Sequence, residues 1–241
     1  MKKTAVITGA SRGIGRAAAE YFAGRGWRVI VNYNMNAAKA EEVVDGINSG
    51  GGEAYAFRAD VGEMADCERL IEFARSFGRI DALINNAAIS EVGLFTDLTP
   101  EREGRLFDVN LFAPMRLSRL VLPDMIHEKS GAIVNVSSMW GQVGASCEVQ
   151  YSTSKAALIG LTKALAKEVA PSGIRVNCVC PGVIDTDMNA HLSPSELEAL
   201  TDEIPMCRLG QAREVAECIY FLCESGSYVT GQVLAPNGGI V

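Results

Sequence analysis

Histidine is nearly missing from this chain, with His127 and His191 the only two in 241 residues. Two imidazoles far apart in sequence are poor material for a zinc centre, whose ligands come at short spacings. Cysteine does not fill the gap. Seven cysteines are an odd number in a long chain and describe no disulfide framework. Only Cys178 and Cys180 stand close together on an expected strand, with no second pair to complete a metal site. All seven are expected to be buried reduced thiols, and no metal is expected. Long apolar runs are lacking too: none approaches the ~20 residues of a membrane span. The opening MKKTAVITGAS passes at once into a short strand and a glycine turn, without the apolar stretch of a signal peptide, so a cytoplasmic location is expected. Positive charge is in deficit, with 22 Lys and Arg against 29 Asp and Glu. A net charge of -7 argues against nucleic acid, whose phosphates require a basic surface. Internal repeats, low-complexity tracts and linkers are absent.

What is present is apolar and alternating. With 48% hydrophobic and 21% charged residues the chain can bury the core of one domain spanning 1–241. Short apolar runs at 4–8, 28–33, 54–60, 81–88, 131–138, 173–182 and 231–235 read as strands. Between them lie segments of helical spacing at 13–24, 37–47, a stretch through Phe77, 100–128, 151–170 and 212–224. Pro114 and Pro123 are expected to interrupt or bend the long region 100–128. The stretch 184–210 is looser and holds SPSELEAL, a capping-type helix start. Strand and helix in alternation predict the α/β class: a single-domain, doubly wound Rossmann fold with about seven parallel strands and helices on both faces.

TGASRGIG, residues 8–15, joins the first strand to the first helix, where such a sheet binds phosphates. Its glycines, Gly9, Gly13 and Gly15, follow G-x-x-x-G-x-G rather than the usual dinucleotide spacing, and no P-loop lysine follows. Gly9 to Gly13 also matches the G-x-S-x-G elbow of hydrolases around Ser11, with His127 or His191 to complete a triad. An elbow after the very first strand is badly placed, and the nucleotide reading is preferred. The second strand ends Asn32-Tyr33-Asn34-Met35-Asn36, without the acid that holds an NAD ribose. An uncharged strand end tolerates a 2′-phosphate, and Arg12 can pair with it, so NADP(H) is the expected cofactor.

Further on, Tyr151 and Lys155 stand one helical turn apart, with the Ser137-Ser138 pair at the end of the preceding strand. A nearby ammonium favours a phenolate, and a helix N-terminus acts in the same sense.

TGASRGIG, Asn85-Asn86-Ala87, Ser138, Tyr151-x-x-x-Lys155 and Pro181-Gly182 occur in one order at consistent spacings. Together they resemble the classical short-chain dehydrogenase/reductase family over the whole chain, and among its members the 3-oxoacyl-[acyl-carrier-protein] reductases. The resemblance implies that Tyr151 is the general acid toward a carbonyl oxygen, that Lys155 lowers its pKa and holds the nicotinamide ribose, and that Ser138 binds the substrate oxygen. It implies that Asn110 helps hold a relay water. Around the cofactor it implies Gly9, Ser11, Arg12, Gly13, Ile14, Gly15 and Asn32, then Asp60 and Val61 beside adenine, and Asn86, Ala87 and Ala88. Pro181, Gly182, Ile184 and Thr186 complete that set near nicotinamide. It further implies fatty acid biosynthesis, an acyl-carrier-protein partner and a homotetramer assembled through 100–128, 151–170 and the last helix and strand.

The chain departs from the pattern at Ala88, usually glycine, and at Asn237, often Asp. Lys129 supplies one basic residue expected beside the active-site mouth, Ser172 replaces the second, and Arg116 and Arg119 are the candidates to compensate. Met188, Leu192 and Met206 suggest an apolar substrate pocket. The alternatives are another carbonyl or alcohol substrate (sugar, steroid or small ketone) and a non-catalytic dinucleotide-binding protein.

Overall fold

The central strands are mostly apolar because the sheet is covered on both sides. In the computed structural model, which describes residues 2–187 and 193–241, β1 (Thr4–Ile7) sends Ala5 and Ile7 to one face and Val6 to the other. The parallel sheet runs in the order β3-β2-β1-β4-β5-β6-β9, with β2 Arg28–Tyr33, β3 Glu53–Arg58, β4 Ala82–Asn85, β5 Gly131–Val136, β6 Ile174–Val179 and β9 Val233–Leu234. Helices α1 (Gly13–Ala23) and α2 (Ala37–Ser49) pack on the first face with α9 (Ala212–Tyr220), through Phe22, Val43 and Ile219. The second face carries α3 (Met64–Arg75), α5 (Ala113–Glu128) and α7 (Val149–Val169), through Leu70, Leu117, Val121 and Ala166. This is the doubly wound Rossmann arrangement. The order reverses between β1 and β4, so a crevice opens at their C-terminal ends, where such sheets bind ligands.

Two differences from the sequence reading bear on the site. The interruption expected within 100–128 at Pro114 and Pro123 falls earlier: α4 (Pro100–Phe107) gives way to a wide π-turn over Asp108–Phe112 before α5 begins, and Pro123 stands inside α5. Pro114 stands in the first turn of α5, where its missing N–H costs nothing, and the turn carries Asn110 into the protein, fully buried. The strands at 81–88 and 131–138 are also shorter than expected. Asn86 to Ala88 and Ser137-Ser138 lie just past the last paired residues, and polar side chains there line the crevice instead of the core.

Between β6 and α9 the chain forms a short parallel pair, β7 (Ile184–Asp185) with β8 (Gly210–Gln211). α8 (Pro194–Asp202) begins at Ser193 with a reciprocal capping box to Glu196. Met188, His191 and Leu192 lie outside the described residues. Met206 is described and largely exposed, its backbone bonded to Gly238. Among the described residues no helix is long and apolar enough to cross a membrane, and no cluster of His, Cys, Asp and Glu could hold a metal.

Candidate active site

The glycine turn is built for close approach. Gly9 and Gly13 have φ of +62° and +54°, which favour glycine. A side-chain carbon on Gly15 would run into the Gly9 carbonyl oxygen and the Asn86 amide. Asn86 fastens the turn to the end of β4, donating to Thr8 O at 2.9 Å and Gly9 O at 3.2 Å. Thr8 Oγ1 accepts in return from the backbone N–H groups of Asn86 and Ala87, at 2.9 and 3.0 Å. The backbone amides that open α1, with Ser11 and Ile14 half-buried beside them, therefore face the crevice at a fixed distance from β4. Thr186 packs over Gly13, and Gly182 lies against Asn237 too closely to admit a side chain. The Pro181 carbonyl accepts from the Met139 N–H at 2.9 Å, linking the end of β6 to the start of the short α6 (Trp140–Val143) that follows β5.

Not every residue expected at the cofactor faces the crevice. Asn32 is 1% exposed. Its Oδ1 accepts from Gly9 N at 3.2 Å and its Nδ2 donates to Ala59 O at 3.0 Å, so it braces the turn from beneath. The Asp60 carboxylate accepts from Arg105 Nη2 at 2.7 and 2.8 Å, and Val61 is buried. Ala88 is half-buried on the segment leaving β4. Sequence reasoning missed Lys39, whose Nζ reaches Asp187 at 3.0 Å while Arg12 approaches the same carboxylate at 3.8 Å. Two cations thus meet where β2 gives way to α2. Only their distance in sequence concealed this.

At the end of β5, the Ser138 hydroxyl accepts from Trp140 N at 3.1 Å and lies close enough to Tyr151 to lower its pKa, and the Ser137 hydroxyl donates to Lys155 O at 2.7 Å. Tyr151 and Lys155 are 6% and 2% exposed, and Lys155 Nζ lies 5.6 Å from the Tyr151 ring centre. That ammonium donates to Val136 O at 2.9 Å. Asn110 exchanges bonds with the Ile89 backbone at 2.9 Å in both directions and donates to Ser154 at 3.2 Å, bracing α7 against the segment after β4. The expected downward pull of Lys155 on the phenol does not govern Tyr151 in this structure. Burial pushes the phenol up to about 12, the Ser138 hydroxyl opposes it, and Glu148 adds to the rise. Burial also brings Lys155 down to about 8. Desolvation outweighs the attraction because both groups are taken from water together.

Three further expectations are corrected. Lys129 does not stand beside the active-site mouth of this chain: it caps α5 at the head of β5, against Gly173, while Ser138 lies beyond the other end of that strand. Six residues of strand separate the two by roughly 20 Å. Arg116 is turned away as well, donating to Gly62 O at 2.6 Å and Asp108 at 3.0 Å. The thiols are not all buried: Cys207 is exposed, and Cys147 and Cys218 are half-buried. As for the hydrolase elbow, His127 ends α5 at that same far edge, away from Ser11.

The profile of the short chain dehydrogenase family matches residues 3–197. An uncharacterized oxidoreductase, YmfI, of Bacillus subtilis is 44% identical over 241 residues, covering 99% of each chain. The 3-oxoacyl-[acyl-carrier-protein] reductase FabG of Staphylococcus aureus is 39% identical, covering 100% of this chain and 98% of the relative. A crystal structure from Beutenbergia cavernae, provisionally assigned as an NAD(P) dependent gluconate 5-dehydrogenase with NADP bound at low occupancy, superposes with a TM-score of 0.93. It is 35% identical, over 99% of this chain and 96% of that one. With a parallel seven-stranded sheet, a glycine turn at its switch point and matches of this extent, the chain belongs to the short chain dehydrogenase family of oxidoreductases.

Proposed function

We propose that this chain carries out the NADPH-dependent reduction of a 3-oxoacyl thioester, held on an acyl carrier protein, to the 3-hydroxyacyl product. The observation that carries this reading is the end-to-end similarity to the Staphylococcus aureus reductase. The joined Ser138, Tyr151 and Lys155 at one strand end supply the chemistry.

NADP(H) fits the cradle that Gly9, Gly13 and Gly15 leave open, with the N-terminus of α1 toward its pyrophosphate. Asn86, Ala87, Ala88, Pro181, Gly182, Ile184 and Thr186 would form the walls, Asp60 and Val61 the adenine side. Bound there, the cofactor supplies the hydride. Tyr151 gives its phenolic proton to the carbonyl oxygen as negative charge develops, and Ser138 donates a hydrogen bond to the same atom. Lys155 holds the ribose hydroxyls, and Asn110 keeps the α7 face in register with the segment after β4. No metal takes part in this scheme.

Arg12 and Lys39 are the 2′-phosphate ligands of the proposal. Arg12→Ala should weaken NADPH binding about tenfold, as expected for a solvent-exposed charged hydrogen bond, and leave NADH within about twofold. Fluorescence titration of both cofactors checks this. Equal losses for the two, or wild-type protein binding NADH as tightly as NADPH, would remove the 2′-phosphate assignment.

A second reading, reduction of a sugar-acid ketone, is favoured by the superposition with the Beutenbergia protein. NADPH oxidation with an acetoacetyl-carrier thioester, set against 5-oxogluconate and a panel of sugars and ketones, decides between them. Turnover confined to the sugar acids would transfer the proposal to the second reading. The proposal includes fatty acid biosynthesis in the cytoplasm as the setting, and a homotetramer. Exposed Phe112 at the end of the π-turn and Ile126 on α5, and Phe221, Tyr228 and Leu234 toward the C-terminus, support assembly through those elements.

A further inference from the structure

Glu148 is the N-cap of α7, three residues before Tyr151 and seven before Lys155 on the same helix. Its carboxylate is half-buried, and Ser90 Oγ donates to Oε2 at 2.8 Å. Among the described residues that is the one hydrogen bond to the Glu148 side chain, and it leaves Oε1 without a partner. The backbone beneath is fixed: Cys147 sits in the left-handed region at φ 61°, and its carbonyl accepts from Gly93 N at 2.9 Å. Two bonds therefore join the loops that follow β4 and β5 around this carboxylate. Val92, Leu94, Phe95 and Val143, on the connections that follow β4 and β5, are exposed apolar side chains.

A helix N-terminus favours an acid by itself, and a charge needed only for that purpose could sit anywhere in the first turn. Glu148 is instead oriented by a hydroxyl from another loop and felt by the phenol three residues on. We propose that Glu148 is a specificity-determining residue: Oε1 accepts a hydrogen bond from a hydroxyl or amide N–H on the substrate arm nearest Ser90, and its charge turns away substrates with an anion on that arm. The inference rests on Tyr151 marking the carbonyl position and deepens that reading by defining the substrate beside it. A neutral 3-oxoacyl thioester satisfies it, and a free 3-oxo acid does not. Two like charges about 6 Å apart at an effective dielectric near 20 would disfavour the anion on the order of 100-fold. Half-exposure and salt reduce this to about tenfold.

The test compares the acid and the ester of one carbonyl compound, taken from whichever class the substrate panel selects. Acetoacetate and ethyl acetoacetate serve for 3-oxoacyl substrates, 5-oxogluconate and its methyl ester for sugar acids. The class that turns over reports on the proposed function, and the acid-to-ester comparison reports on Glu148 alone. The ester-to-acid ratio of kcat/KM should fall about tenfold in Glu148→Gln and persist in Glu148→Asp, which keeps the charge. An unchanged ratio in Glu148→Gln overturns the inference, whether or not its melting temperature drops. So does an equal fall in both variants, which would make the effect one of shape.

Discussion

Tyr151→Phe should lower kcat for carbonyl reduction by about 10²–10⁴-fold, the range of a positioned general acid. The substitution removes one oxygen from a ring that is 6% exposed, so packing is kept. The lost Ser138 contact should cost about 1 kcal/mol of stability. The effect falls on the chemical step because the proton is needed only as charge develops on the substrate oxygen. Its pH dependence follows from the phenol, which burial holds at about 12. The acid form is present below that value, so reduction proceeds with a protonated Tyr151 throughout the neutral range. Oxidation of the alcohol needs the phenolate and should accelerate as pH rises. Steady-state rates in both directions from pH 6 to 10 check the two signs together. A Phe variant within tenfold of wild type would show that another group, or water, protonates the oxygen.

Which parts of this site the sequence made legible has a physical pattern. Strands covered on both faces are apolar without alternation, so Val29 to Val31 and Ile133 to Val136 announced a buried parallel sheet. Tyr151 and Lys155 were legible because a helix fixes what four residues apart means in space. Sequence says far less about which partner a polar group takes. Asn32 reads as an uncharged strand end beside the cofactor, and its bonds to Gly9 N and Ala59 O are not visible in the sequence. That Arg105 from α4 pairs with the Asp60 carboxylate is likewise not legible. Lys129 was misplaced for a related reason. Its distance from Ser138 along the chain is short, but a strand runs straight, and the intervening residues carry it across the full height of the sheet. Lys39 could have been found only as a charge at the start of the helix that follows β2, whereas Glu148 stood in view in the loop before Tyr151.

Lys155→Met should abolish reduction, with kcat down at least about 10²-fold, and should also change how stability responds to pH. Lys155 is fully buried, and burial lowers its pKa from the usual 10.5 to about 8. The unfolded chain therefore binds more protons than the folded one between those two values, and wild-type stability rises with pH through that window. Below about 8 the full cost of a buried ammonium is carried. Methionine fills similar space without charge and carries none of it. Between pH 7 and pH 10 the wild type should thus gain about 2–3 kcal/mol relative to the variant, because a tenfold change in proton affinity between the folded and unfolded chain corresponds to about 1.4 kcal/mol. Tyr151 does not confuse the comparison. Its raised value contributes stability that is lost only above pH 10, and equally in both proteins. Whatever the variant loses through the vacated Val136 carbonyl is constant with pH, so the slope isolates the charge. Denaturant unfolding of the two proteins at pH 7 and pH 10 measures it. Parallel pH profiles would mean that Lys155 is solvated or already paired in the folded protein. An enzyme that keeps an ammonium at this cost is spending stability on the position of a charge beside Tyr151, the trade expected where function rather than folding selected the residue.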